Sequence, residues 1–256
     1  MSVVDLLARP RARRRWLFVA GGPLAVLVVG TVVLGRLLGL RAALAWAAVV
    51  APLLAFEAYF FHTRREGSAV ALRAANTVTL FRGWLFAAAG GFVALGPTTA
   101  LVPPGLTGAV AWAPGVCYGV GAALDQVDGR LARYTGTVSR FGERLDMAID
   151  TLGFVVAPVV AVAWGRLPVW YLSLAAARYL FKAGRGYRRW RSLPVYELSP
   201  HSLRRTLSGL QMAFLTLALL PLVSPETLAV VAVAVLTPSL AMFGRDCLVM
   251  AGHYRP

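Results

Sequence analysis

The sequence predicts an all-α, polytopic membrane protein, and three observations carry that expectation. Only 14% of the 256 residues are charged and 58% are apolar, where a soluble domain of this length carries about 25% charge. Mainly apolar runs such as Trp16 to Leu34, Ala42 to Phe61 and Thr227 to Phe243 match a hydrocarbon layer of about 30 Å at roughly 1.5 Å of helix rise per residue. The basic residues fall in short clusters between these runs rather than on one soluble segment. Lipid offers the backbone no hydrogen-bond partners, so each run is expected to be a helix.

The runs resolve into eight expected spans, at about 16–35, 42–62, 77–97, 106–125, 146–165, 167–184, 207–223 and 225–244. The first follows Arg11, Arg13, Arg14 and Arg15, like the charged start of a signal peptide. It is longer than such a segment, no small-x-small cleavage site follows, and it reads as a retained span. Pro103, Pro104 and Gly105 punctuate the third gap, and Pro221 and Pro225 the last. With the N-terminus assigned to the cytoplasm, 22 of the 26 basic residues fall on that side. Arg36, Arg41 and Arg166 are outside, and Arg82 is within a span. Retention of positive charge in the cytoplasm gives this asymmetry, so both termini are expected inside and the chain in the cell membrane. The net charge of +15 raises nucleic acid as a partner, but binding it needs a basic soluble face that no segment here is long enough to form. Anionic lipid headgroups suit the clusters better. Cys117 and Cys247 lack metal-ligand spacing and read as buried free thiols.

The acidic residues narrow the function. Four of the eleven, Asp125, Asp128, Asp146 and Asp150, lie within 26 positions at the inner ends of two consecutive spans. Carboxylates at bilayer depth are costly and mark functional sites. Glu143, off this spacing, is expected to be solvated or paired with Arg144, and Glu57 stands alone in the second span. On a helix, Asp125, Asp128, Gly129, Ala132 and Arg133 share one face, and Gly142, Asp146 and Asp150 form a stripe on the next. A short connection makes the two helices antiparallel neighbours, so four carboxylates can converge. Alone they would repel and take up protons. Hard divalent ions with oxygen ligands remove that difficulty. Mg²⁺, or Mn²⁺, suits a site that also receives phosphate, and four carboxylates suit two ions about 3.5–4 Å apart. Gly129, Ala132 and Gly142 allow close approach of a ligand, although such residues also serve helix packing in membranes. Arg133 offers a fork to a phosphate.

The pattern D-x2-D-G-x2-A-R-x8-G-x3-D-x3-D resembles the signature of the CDP-alcohol phosphotransferase family, with every fixed position matched. The likeness covers about residues 74–250, the family's six-helix core. It implies a division into residues 1–73, a basic segment with two accessory spans, and 74–256, the catalytic core. A second segment, Asn76-Thr-Val-Thr79-Leu-Phe-Arg82, resembles the N-x2-T-x2-R of a helix lining the nucleotide pocket. The resemblance implies a CDP-linked lipid donor, an alcohol acceptor, release of CMP, metal held by Asp125, Asp128 and Asp146, and Asp150 as general base that also reaches the second ion. It implies a homodimer as well.

The acceptor is addressed by cations. Lys182, Arg185, Arg188, Arg189 and Arg191 lie at or beyond the inner end of the sixth span, and Arg204 and Arg205 precede the seventh. Positive-inside anchoring accounts for most of them. Lys182, the single lysine of the chain, and Arg185 lie nearest the expected mouth of the site, and with Arg188 and Arg204 they are the candidates for an acceptor phosphate. Glycerol 3-phosphate and inositol phosphate are both used in the family. The run Arg204 to Met212 resembles, with different spacing, a basic-x-Thr-x-x-Gln segment of phosphatidylglycerophosphate synthases. Serine or another unphosphorylated alcohol is the alternative acceptor. The rival from another class is an ion-coupled transporter, which would need acids near the midplane and a repeated half. No second copy of the constellation is present.

Overall fold

A computed structural model describes residues 10–64, 74–97, 100–134, 139–196 and 202–253, with side chains left out at 10–16, 64, 127–134 and 202. Eight α-helices stand near the eight expected spans: α1 Pro10–Leu38, α2 Leu40–Arg64, α3 Ala74–Gly91, α4 Thr107–Tyr134, α5 Arg140–Ala163, α6 Ser173–Trp190, α7 Ser202–Leu219 and α8 Pro225–Ala251. Short 3₁₀ turns follow α3 at Phe92–Leu95 and precede α4 and α6 at Pro104–Leu106 and Val169–Leu172. The described residues hold no strand.

Among the described residues, six helices are long and apolar enough to cross a membrane: α1 to α5 and α8. The short helices α6 and α7, 18 residues each, are not among them, for a reason visible in α6. It carries Arg178, Lys182, Arg185, Arg188 and Arg189, yet Arg178 lies over the Phe154 ring of α5 and Lys182 donates to Thr151 of α5. Tyr179, Leu180, Tyr187 and Trp190 are exposed alongside Lys182 and Arg189. The outward surface of α6 thus mixes large apolar groups with basic ones.

α3 is the hub. It is the most buried of the membrane-length helices and packs against α1, α2, α4 and α5. α1 and α2 form a hairpin that turns at Gly39, whose φ of +91° is open to glycine at little cost. α2 then lies along α3: Trp46 donates to Ala88 O at 3.1 Å, and Phe61 meets Phe141 of α5 edge to face. On the other side of α3, Phe86 wedges between α4 and α5. A Cβ on Gly121 would stand 2.6 Å from its ring, and one on Gly153 2.8 Å. Only glycine admits the ring at both places, so this wedge fixes the separation of α3, α4 and α5 one turn away from the acidic residues.

The ends are tied by local chemistry. Ser139 caps α5 by accepting from Gly142 N at 3.1 Å, which satisfies one of the first-turn donors left open by helix geometry. Ser224 caps α8 with Pro225 at its first position, and Gly252 at φ +79° ends it. Between α5 and α6, Arg166 donates to the carbonyls of Ala218, Leu220 and Val223, closing the C-terminus of α7. Tyr171 donates to Gln211, which in turn donates to Ser239 and Val235 O. That chain joins the start of α6 to α7 and α8 with each buried polar group bonded.

Candidate active site

Three helices bring the site together. Arg82, in the third turn of α3, is completely buried. Its Nε donates to Gly121 O of α4 at 3.2 Å. Nη2 stands 2.8 Å from both Asp125 Oδ1 of α4 and Asp150 Oδ1 of α5, and Nη1 stands 2.8 Å from Asp146 Oδ1. Among the described side chains, one guanidinium thus meets three carboxylates. The aspartates are not sealed off: Asp146 is 45% exposed, Asp125 and Asp150 each 24%.

Local sequence explains the convergence. Asp146 and Asp150 are one turn apart on α5, and Asp125 is one turn beyond Gly121 on α4. The Phe86 wedge holds Gly121 and Gly153 in register, so the acids one turn along each helix face one another. One oxygen from each of Asp125, Asp146 and Asp150 lies within 4.8 Å of the others. Such an all-oxygen, negatively charged set fits a hard divalent cation, and it is the donor chemistry that the spacing of the motif predicts. Asp128, Gly129, Ala132 and Arg133 fall in the last turns of α4, whose side chains lie outside the described residues.

The remaining expected residues fall into two groups. Asn76 and Thr79 are buried on α3. Thr79 donates to Ala75 O at 3.1 Å, and Asn76 packs on the first turn of α5, where a Cβ on Gly142 would stand 2.8 Å from its Oδ1. Gly142 is therefore needed for helix approach in this arrangement. On α6, Lys182 Nζ donates to Thr151 Oγ1 at 3.0 Å, one residue from Asp150. The Nε of Arg185 is buried and has no hydrogen-bond partner among the described residues. Arg188 donates to Pro194 O and Ala251 O, and Arg204 forms a fork with Asp246 of α8 at 3.0 and 2.9 Å. Those two arginines have partners at the α6–α8 and α7–α8 junctions.

Sequence reasoning missed Arg178 and Tyr118. Arg178 stacks its guanidinium 3.8 Å from the Phe154 ring centre, its Nε lacks a hydrogen-bond partner among the described residues, and it interacts electrostatically with Asp150 and Tyr118. Its spacing to Lys182 and Arg185, at i+4 and i+7, is the signal that could have found it. Tyr118 of α4 is wholly buried behind Asp150 with an unpaired hydroxyl among the described residues. Nothing local in the sequence marks it.

Comparison with known proteins bears on the same residues. A stretch of 56 residues is 46% identical to archaetidylinositol phosphate synthase of Pyrococcus horikoshii, covering 22% of this chain and 29% of that protein. The chain thus matches less than a third of that relative's length. No solved structure matches. The family model for CDP-alcohol phosphatidyltransferase matches residues 72–240, a span that begins just before α3, runs into α8 and includes all four motif aspartates. On that match, extending over well more than half of its residues, the chain belongs to the CDP-alcohol phosphatidyltransferase family.

Proposed function

We propose that this protein is a metal-dependent phospholipid synthase that transfers a phosphatidyl-type group from a CDP-linked lipid to a phosphorylated alcohol and releases CMP. The observation that carries the reading is the meeting of Asp125, Asp146 and Asp150, from two helices, at one carboxylate-rich point. Asp125, Asp128 and Asp146 would hold Mg²⁺ or Mn²⁺, with Asp150 shared. When bound, the ions neutralise charge on the phosphoryl oxygens and on the departing CMP, the dominant demand of phosphoryl transfer.

The chain's own groups supply the rest. Asp150 takes the proton of the acceptor hydroxyl as its oxygen bonds to the lipid-side phosphorus, and the bond from that phosphorus to CMP breaks. A base placed among cations works by position more than by basicity. Asn76 and Thr79 line the donor side of α3. Lys182 and Arg185, joined by Arg178, form a cationic wall beside Asp150 that favours an acceptor bearing its own phosphate. The name of the Pyrococcus horikoshii relative, archaetidylinositol phosphate synthase, agrees with such an acceptor. The clustering of basic residues at the inner ends of the expected spans supports a site that faces the cytoplasm by the positive-inside rule.

The test is CMP release by purified protein in nanodiscs, with Mg²⁺, CDP-diacylglycerol and a panel of glycerol 3-phosphate, inositol phosphate, glycerol, inositol and serine. Product lipid with a phosphorylated acceptor is expected. Turnover with serine alone would move the assignment to the unphosphorylated class, and ion flux without CMP release from any mixture would overturn it.

A further inference from the structure

We propose that Arg82 competes with divalent ions for Asp125, Asp146 and Asp150, and thereby makes ion binding depend on the phosphates of the donor. This rests on the reading of the aspartates as an ion site. Arg82 stands 2.8 Å from the Oδ1 atoms of all three aspartates, the same carboxylates whose oxygens cluster within 4.8 Å. It is fully buried and does not deprotonate. A permanent charge this close to the ligand oxygens weakens their attraction for any cation.

A different role is open to the same geometry. Arg82 could gather three repelling carboxylates, so that its loss would loosen the site and weaken ion binding. The two roles predict opposite signs, and the fold favours the first. The aspartates are brought together by features that do not need Arg82: the Phe86 ring between Gly121 and Gly153 and the Ser139 cap that starts α5. With the frame held independently, the charge of Arg82 is what its removal changes most.

The donor enters because a guanidinium released from carboxylates needs another anion, and a planar fork matches a phosphate. Arg82 shares α3 with Asn76 and Thr79, the residues read as facing the nucleotide. A donor that accepts Arg82 frees carboxylate charge for the ion, and by linkage the ion tightens the donor equally.

The experiment measures Mn²⁺ binding by electron paramagnetic resonance in nanodiscs, with and without CDP, for wild type, Arg82→Gln and Arg82→Lys. Arg82→Gln is expected to bind Mn²⁺ roughly tenfold more tightly than wild type when CDP is absent. CDP is expected to tighten Mn²⁺ in the wild type and to do so less in the variant. Arg82→Lys, which keeps the charge but not the fork, is expected to fall between the two. If Arg82→Gln does not fold, the comparison with Arg82→Lys decides alone. Equal or weaker Mn²⁺ binding in the folded variants would overturn the competition while leaving the ion site standing. A wild type that binds no Mn²⁺ even with CDP would remove the ion site itself, and the competition with it.

Discussion

Among the described residues, arginine meets aspartate at two junctions of the bundle, and the two differ in stoichiometry. At the α7–α8 junction Arg204 meets one described aspartate, Asp246, through two parallel hydrogen bonds. At the α3–α4–α5 junction Arg82 faces three aspartates. The first is a one-to-one pair among the described residues. The second sets more carboxylates than guanidinium around one point, and clustered carboxylates attract cations. Arginine and aspartate are common to both. The count separates a clamp from a site.

The comparison can be broken from either side. The largest effect is expected from Asp150→Asn, which should lower CMP release by about 10²–10⁴-fold, the usual contribution of a positioned base. CDP-lipid binding should persist by equilibrium dialysis. Equal turnover by variant and wild type would remove Asp150 as the base. At the clamp, Asp246→Ala should cost about 2 kcal/mol of stability, below the roughly 3–5 of a fully buried pair, because Arg204 is 37% exposed. Thermal unfolding in detergent reads this, and CMP release per folded molecule should hold. The double variant Arg204→Met with Asp246→Leu should recover most of the loss, since a balanced pair is replaceable by apolar groups of similar volume. The smallest effect is expected from Lys182→Met. Its removal should raise KM for a phosphorylated acceptor about tenfold, within the range for a charge-assisted hydrogen bond, and leave donor affinity unchanged. A change in donor affinity instead would place Lys182 on the nucleotide side.

How far the sequence carried depended on the range of the interaction. The aspartates of the motif sit one turn apart, so helix periodicity and a short link were enough to predict that Asp125, Asp146 and Asp150 face one another. The eight helices were legible for the same reason, because apolar runs write their own length. Arg82 was assigned to a phosphate by resemblance. Its place among the carboxylates depends on partners 39 to 68 residues away, which no local period encodes. Glu57 stood unexplained in the sequence. In the fold it is buried with both oxygens lacking a hydrogen-bond partner among the described residues, beside Gly83, whose missing side chain makes its room. The sixth expected span falls short of membrane length and apolarity because α6 carries five basic residues, two of which, Arg178 and Lys182, contact α5.

The Arg166 cap has a consequence for how the chain is made. Its three acceptors, the carbonyls of Ala218, Leu220 and Val223, lie 52 to 57 residues downstream. During synthesis α5 is completed long before the turn between α7 and α8 exists. Until that turn arrives, Arg166 must keep its charge hydrated at the membrane surface, since an uncompensated guanidinium is not drawn into the bundle. The cap is therefore a late event in biogenesis, one that locks the second half of the protein onto a first half already in place.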